Sequence, residues 1–174
     1  MNTIVTHFID NQTYQQSRLL VKDDINKSIY ANYLQLQNSE FEKQSHFFHG
    51  RYENIYINEQ LIPELKQVLE KIKAHIGNLI QQEPDQFKFG FWLNAMEPGH
   101  VTTRHNHDDD DESISGVYYI HVPENSGKLR LFSDKTVEIS PEEGCMVLFS
   151  PRLDHDVSIN NSKELRLSIG FNAG

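Results

Sequence analysis

One segment of the chain, residues 61–82, repeats its apolar residues at steps of three and four positions. This spacing predicts an amphipathic helix of about five turns, with one apolar face directed at a core. Pro63 falls in the first turn, where a missing backbone N–H costs no hydrogen bond, and Glu83-Pro84 ends the helix. The apolar face consists of Leu61, Leu65, Val68, Leu69, Ile72, Ile76, Leu79 and Ile80.

After Pro84 the apolar pattern changes to a period of two, which is typical of short β-strands. Clusters of Pro, Gly, Asn and Ser separate these segments and predict turns between them. Short strands at such spacing favour a sandwich, a barrel or a jelly roll. The predicted strands are 87–96, 115–122, 128–133, 136–139, 146–150, 156–159 and 165–171.

The first sixty residues have a weaker pattern. Residues 3–9 and 54–58 suit short strands, and residues 15–37 have loosely helical apolar spacing. We therefore predict a mainly β protein with N-terminal helices (α+β) in one domain, 1–174. In it, a helical or mixed support of residues 1–86 packs on an antiparallel double-layer β core of residues 87–174.

Composition narrows the class of protein. The 174 residues include 37% hydrophobic and 24% charged positions, which is a globular profile. A formal charge of −9 disfavours unaided nucleic-acid binding, and the single cysteine excludes an internal disulfide framework. No segment has the apolar length of a membrane span or of a signal-peptide core, so we expect a cytoplasmic protein without membrane or nucleic-acid partners.

Histidines concentrate in the middle of the chain and suggest a metal site. His105 and His107 form an H-x-H pair, and in extended backbone such positions project to the same side. Asp109 follows at the same period, and His155 lies in the predicted turn 150–156. Ligands from two strand ends would leave other positions of the ion open, an arrangement that suits Fe(II) chemistry. An acidic surface loop containing two histidines remains the alternative.

The last predicted strand carries a candidate anion receptor. Its apolar residues alternate with Arg166 and Ser168, which therefore share the opposite face. If that face lines a cavity, the guanidinium and the hydroxyl can bind a carboxylate, and Tyr119 can add a third hydrogen bond. Tyr118 must then point the other way. If the face meets water, Arg166 is an ordinary surface residue.

Taken together, these motifs resemble the Fe(II)- and 2-oxoglutarate-dependent oxygenases of the prolyl-hydroxylase-like branch, in particular a bacterial and phage group with H-x-H before SGVYY. The resemblance extends over about residues 87–174. It is carried by Gly99 with His105 and His107 (G-x5-H-x-H), residues 115–119 (SGVYY), Gly144 to Phe149 and Pro151 (G-x4-F-x-P), His155, and Arg166 with Ser168 (R-x-S).

The resemblance implies a double-stranded β-helix, or jelly roll, with Fe(II) at its mouth and 2-oxoglutarate and O2 as co-substrates. It assigns His105 and His155 as the proximal and distal metal ligands. The implied 2-oxoglutarate contacts are Arg166, Ser168, Tyr119 and Asn94. The implied reaction is hydroxylation of a substrate, prolyl or another amino-acid or peptide side chain, with release of succinate and CO2.

The chain departs from the family at the carboxylate ligand, because His107 stands where Asp is expected. One arrangement is a three-histidine site of His105, His107 and His155. The other shifts the motif by two residues, so that Asp109 becomes the third ligand with His107 and His155. We favour the first, since it keeps the spacing from Gly99.

Two other functions stay open at the level of sequence. A cupin-like three-histidine metalloenzyme would need the metal but not 2-oxoglutarate, and it would leave Arg166 and Ser168 unexplained. A non-catalytic metal-binding β-sandwich would bind oxygen-preferring ions such as Ca²⁺ through Asp108–Asp111.

Overall fold

The computed structural model describes residues 4–9, 12–22, 24–48, 50–107 and 112–174. Two α-helices lie within these ranges: α1 spans Ile25–Tyr33 and α2 spans Glu64–Ile80. The predicted amphipathic helix is thereby confirmed as α2, which follows Pro63 and ends at Gln81 in a left-handed conformation.

The rest of the regular structure is β. In chain order the described strands are β1 (Ile4–Ile9), β2 (Gln12–Arg18), β3 (Phe41–Phe48), β4 (Arg51–Ile57), β5 (Phe89–Met96), β6 (Thr102–His105), β7 (Ile114–His121), β8 (Leu129–Phe132), β9 (Thr136–Ile139), β10 (Cys145–Phe149), β11 (Asp154–Val157) and β12 (Arg166–Ala173).

The strands form two sheets. The larger has eight strands in the order β1-β2-β10-β7-β12-β5-β4-β3, and the smaller has four in the order β6-β11-β8-β9. All the strand pairings within them are antiparallel. The mainly β, double-layer architecture predicted from the sequence is confirmed.

Each face of the large sheet closes a separate apolar cluster. On one face, Leu167 and Ile169 of β12 pack with Leu69 and Ile72 of α2. On the other face, side chains of β7 and β10 pack with those of the small sheet in a second cluster. Because alternate residues of a strand point to opposite faces, the same strands that build the helix-side core also direct side chains between the two sheets.

Two expectations about local structure are wrong in part, and one strand, β3, is not predicted by the sequence. Residues 15–18, which have helical spacing in the sequence, belong to β2, and β3 has no apolar alternation that would reveal it. Both strands are rich in polar residues. The position of β2 is fixed by pairing with β1 and β10, and that of β3 by pairing with β4. His155 does not lie in a turn, because β11 already begins at Asp154.

No helix in the described ranges is both long enough and apolar enough to cross a lipid bilayer.

Candidate active site

Three histidines meet at the open end of the small sheet. His105 is the last residue of β6, and it pairs in register with His155 of the neighbouring strand β11. His107 follows two residues after His105 and turns its ring toward both. One ligand nitrogen from each ring lies within 4.8 Å of the other two. This separation suits a shared metal ion.

Backbone carbonyls orient two of the rings. His105 Nδ1 is 2.7 Å from the Thr103 carbonyl oxygen, and His155 Nδ1 is 2.9 Å from the Leu153 carbonyl oxygen. A carbonyl only accepts, so each Nδ1 carries the proton and donates it. Each Nε2 is then left with a lone pair for a metal ion.

Burial keeps two of the three imidazoles neutral. Burial, together with the neighbouring imidazoles, lowers the pKa of His155 to about 3 and that of His107 to about 4. At neutral pH both rings are therefore unprotonated, which is the form that binds metal ions.

The large sheet contributes a buried cation to the same cavity. Arg166 is 1% exposed, and its Nη1 donates to the carbonyl oxygens of Ser126 and Gly127 at 3.1 and 3.0 Å. Its guanidinium carbon lies 5.2 Å from the centre of the Tyr119 ring. Among the described residues, no carboxylate forms an ion pair with Arg166. A buried guanidinium without a counter-ion is costly unless a ligand supplies the negative charge.

In the described part of the chain, three buried polar atoms at this site lack a hydrogen-bond partner in good geometry: Arg166 Nε, Tyr119 Oη and Asn94 Oδ1. Burial raises the pKa of Tyr119 to about 12, so the phenol keeps its proton and can donate it. A carboxylate accepts from both a guanidinium and a phenol. The unsatisfied donors therefore fit a carboxylate group of a ligand.

Strand register explains why these side chains are neighbours. Ser168 of β12 pairs with Asn94 of β5 on one side and with Tyr119 of β7 on the other. All three side chains thus form one row across the sheet, on the face that carries Arg166. Tyr118 faces the opposite side, as predicted, and its hydroxyl donates to Asn26 Oδ1 at 2.9 Å.

One cavity brings together seven of the eight residues singled out from the sequence. Asp109, the alternative third ligand, lies outside the described residues. The cavity is lined by His105, His107, His155, Arg166, Ser168, Tyr119 and Asn94, among others.

A second cavity, a groove of about 600 Å³, adjoins the first. The two share Asn54, Trp92 and His107 as lining residues, so the groove meets the histidine cluster at its inner end. The Trp92 indole lies directly over Gly170, where an added Cβ would approach the ring to 2.5 Å. Only glycine at position 170 allows the indole to form this wall.

Sequence reasoning missed the residues of the groove. His46, expected to be structural or on the surface, is exposed and lines the groove, and its ring centre is 5.9 Å from that of His105. Asn54 and Tyr56 also line it, from the adjacent strand β4. Residue spacing carries no signal for them, because β3 and β4 reach the site only through pairing with β5.

Comparisons with known proteins agree with this geometry. Residues 90–137 and 130–172 match the family model described as "Putative 2OG-Fe(II) oxygenase". A search of curated proteins gives no match.

Solved structures share the fold. A prolyl-4-hydroxylase from Pseudomonas putida superposes with a TM-score of 0.72 at 20% identity, over 93% of this chain and 92% of that one. A prolyl hydroxylase from Trichoplax adhaerens, in complex with a hypoxia-inducible-factor peptide, gives 0.70 at 15% identity, over 92% and 82%. EvdO2 from Micromonospora carbonacea var. aurantiaca, complexed with 2-oxoglutarate, gives 0.64 at 12%, over 98% and 93%. The predicted jelly roll is thereby confirmed.

Proposed function

This chain belongs to the Fe(II)- and 2-oxoglutarate-dependent oxygenases, and from that premise we propose that it hydroxylates a C–H bond of an organic substrate held beside His105, His107 and His155. Its cofactor is Fe(II), and its co-substrates are 2-oxoglutarate and O2. We further propose that the three histidines are the metal ligands.

One observation carries the proposal. Three imidazoles placed to share a metal ion line the same cavity as Arg166 Nε and Tyr119 Oη, two buried atoms that lack a hydrogen-bond partner in good geometry among the described residues. A metal-binding module alone would have no use for a buried cation in that place. A ligand that chelates the metal at one end and carries a carboxylate at the other would bind both the histidine cluster and the buried Arg166.

The residues of the cavity then have separate tasks. Arg166 binds the distal carboxylate of 2-oxoglutarate, and the hydroxyl groups of Ser168 and Tyr119 fix its orientation. Asn94 supplies a further polar contact. The iron with its co-substrates supplies the oxidising chemistry, which consumes 2-oxoglutarate and releases succinate and CO2. The β layers around the cavity limit the access of water.

The third ligand distinguishes this chain within the family. An imidazole at position 107 leaves the metal centre one unit more positive than a carboxylate would. The acidic residues Asp108–Glu112, which follow directly in the sequence, can offset that charge. We propose His107 as the ligand because its ring already faces both other histidines.

The test is an anaerobic absorbance titration. Fe(II) is added to the metal-free protein, then 2-oxoglutarate, and the visible charge-transfer band of the chelate is recorded. We expect a saturable band that is lost in His155→Ala and that needs at least tenfold more 2-oxoglutarate in Arg166→Gln. Arg18→Gln is the matched control, because Arg18 is exposed and pairs with Glu142 away from the cavity.

Other outcomes contradict the proposal in different ways. Iron uptake without any band would favour the cupin-like metalloenzyme, and absence of uptake would favour the non-catalytic module. An unchanged 2-oxoglutarate affinity in Arg166→Gln would remove the assigned carboxylate site. Comparison of His105→Ala with Asp109→Ala separates the two ligand sets, because His107 and His155 belong to both. Loss of iron in His105→Ala supports the three-histidine set, and loss of iron in Asp109→Ala supports the set with the carboxylate.

For the prime substrate we propose a prolyl or another amino-acid or peptide side chain. The support is the Trichoplax adhaerens neighbour, which has a peptide in its complex. Mass spectrometry of a peptide library incubated with Fe(II), 2-oxoglutarate and O2 tests this assignment. Addition of one oxygen atom to an amino-acid side chain, in a peptide or in a free amino acid, is expected, and turnover of other metabolites only would contradict it.

A further inference from the structure

His46 occupies an unusual backbone position in β3. Its φ is +56°, in the left-handed region that only a few per cent of non-glycine residues adopt, most often Asn, Asp and His. Neighbouring strand residues normally face opposite sides, yet the side chains of Ser45 and His46 are in contact, with Ser45 Oγ 3.0 Å from His46 Nδ1. The unusual φ therefore turns the imidazole to the groove side of the sheet.

Hydrogen bonds fix which nitrogen of this imidazole is free. Asn54, which is 7% exposed, places its amide nitrogen 3.0 Å from His46 Nδ1. An amide nitrogen only donates, so Nδ1 accepts and the neutral ring carries its proton on Nε2. Within the described part of the chain, Nε2 has no hydrogen-bond partner. An oriented N–H donor is thus available to a ligand in the groove.

The other groove walls indicate what kind of ligand this is. Trp92 and Tyr56 present aromatic rings whose centres are 6.3 Å apart, which suits a ring or a bulky aliphatic group. The charged side chains among the described lining residues are Lys88 and Glu112, of opposite sign. No arginine lines the groove in those residues, in contrast to the carboxylate receptor at Arg166. The groove therefore suits a neutral acceptor better than a carboxylate.

We propose that the groove binds the prime substrate, and that His46, held by Asn54, donates a hydrogen bond to a neutral carbonyl oxygen of that substrate. The apolar group beside this carbonyl packs on Trp92 and Tyr56. This inference rests on the proposed function, because the carbon to be oxidised must lie next to His107, at the inner end of the groove.

Trp92 is the only tryptophan of the chain, so its fluorescence reports directly on the groove. The probe is cyclohexanecarboxamide, which joins an apolar ring to a neutral carbonyl group. Cyclohexanecarboxylate has the same ring with an anionic group. Both are titrated into the metal-free protein without 2-oxoglutarate, with Trp92 emission as the readout. We expect saturable binding of the amide and no tighter binding of the carboxylate.

Variants locate the binding and identify the donor. His46→Gly removes the imidazole without strain, since glycine adopts positive φ freely, and should weaken amide binding about three- to tenfold. His46→Asn tolerates the same backbone and keeps a side-chain N–H, so it should recover part of the affinity. His100→Ala is the matched control, because His100 lines neither cavity. Gly90→Leu should abolish binding, since Gly90 lines the groove and has open space at its Cβ position.

Four results would overturn the proposal: no saturable change with either compound, tighter binding of the carboxylate, wild-type affinity in His46→Gly, or undiminished binding in Gly90→Leu. A further arm compares cyclohexanecarboxamide with the capped tripeptide acetyl-Gly-Leu-Gly-amide, which carries the same carbonyl chemistry within a chain. Tighter binding of the peptide supports an extended substrate, and tighter binding of the small amide supports a metabolite.

The two proposals can fail separately. The fluorescence titration needs neither iron nor 2-oxoglutarate, whereas the charge-transfer band needs both. Loss of the band together with His46-dependent amide binding would refute the oxygenase assignment and keep the groove as a ligand site. A normal band without amide binding would refute the inference about His46 alone.

Discussion

Tyr119 illustrates how single residues prepare this cavity for a ligand. Its side chain is 1% exposed, and its hydroxyl lacks a partner in good hydrogen-bonding geometry. An unsatisfied buried hydroxyl lowers the stability of the free protein, and a bound acceptor restores the lost interaction. Stability and 2-oxoglutarate affinity should therefore respond in opposite directions when this hydroxyl is removed.

We predict that Tyr119→Phe leaves the free energy of unfolding of the ligand-free protein unchanged or raises it. The same substitution should weaken 2-oxoglutarate binding about three- to tenfold, the usual effect of one hydrogen bond. Urea denaturation and the anaerobic titration measure the two effects.

Tyr118→Phe is the matched control for this prediction. The Tyr118 hydroxyl donates to Asn26 on the helix side of the sheet, so its loss should lower stability and leave 2-oxoglutarate affinity as it is. Identical behaviour of the two variants would contradict the role proposed for Tyr119.

At the scale of elements, the pairing of β5 with β12 forms the wall between the inner cavity and the groove. Gly170 pairs with Trp92 in this register, and its lack of a side chain lets the indole lie flat over the strand. Gly90 pairs with Asn172 in the same ladder but has no heavy atom within 4 Å of the Cβ position. The two glycines are thus matched sites in one ladder: a methyl group would collide with Trp92 at position 170 and would meet open space at position 90.

We predict that Gly170→Ala displaces Trp92 and lowers the free energy of unfolding by roughly 1–3 kcal/mol, the usual range for overpacking. Gly90→Ala should have little effect on stability. Trp92 emission and chemical denaturation report the two consequences, and equal stability of both variants would show that the wall tolerates a methyl group at position 170.

Helix α2 buries a titratable group that the site does not use. His75 is 8% exposed in the core, and its Nε2 has no hydrogen-bond partner among the residues that the structure describes. Burial lowers the pKa of His75 below its ordinary value of 6.5. Below pH 6.5 the unfolded chain therefore binds a proton at this residue that the folded protein resists, and stability falls as the pH is lowered.

We predict that His75→Leu flattens the decline of stability below pH 6.5, by up to about 1.4 kcal/mol per pH unit, the limit for one proton. Buried histidines of the site have lowered pKa values too, so the decline should persist in part. Leu69→Ala on the same helix should lower stability equally at every pH. Parallel curves for His75→Leu and the wild type would contradict the prediction.

At the scale of the whole molecule, the residues proposed to bind the metal and 2-oxoglutarate come from both sheets. His105 and His155 belong to the small sheet, whereas Arg166 belongs to the large one. A metal chelate of 2-oxoglutarate bound between them therefore contacts both sheets. Anything that binds only the folded state stabilises it by mass action, by about 2.7 kcal/mol at a hundredfold excess over Kd.

We predict that Fe(II) with 2-oxoglutarate, each at about a hundred times its Kd, raises the anaerobic Tm by roughly 5–10 °C. Excess EDTA should reverse the shift, and His155→Ala should not show it. Calorimetry measures all three, and an equal shift in His155→Ala would mean that the ligands bind elsewhere.

The sequence by itself determined the elements that are periodic. Helix α2 follows from the apolar face of residues 61–82, and β12 follows from alternation, which also put Arg166 and Ser168 on one face. These features depend on local geometry, since 3.6 residues per turn and two per pleat are the same in every protein. Among the candidate residues of the inner cavity, Arg166 and Ser168 follow from this alternation and His105 with His107 from the H-x-H spacing, whereas Asn94 was implied only by the resemblance to the oxygenase family.

Only the tertiary structure decided which side chains meet. The pairing of His105 with His155 depends on the register of β6 against β11. The polar segments β2 and β3 form strands because they pair with neighbouring strands, since neither has an apolar pattern that would predict a strand. His46 reaches the groove because one residue of β3 adopts a positive φ. Register and an isolated left-handed residue are set by contacts between segments distant along the chain, and no local spacing in the sequence encodes them.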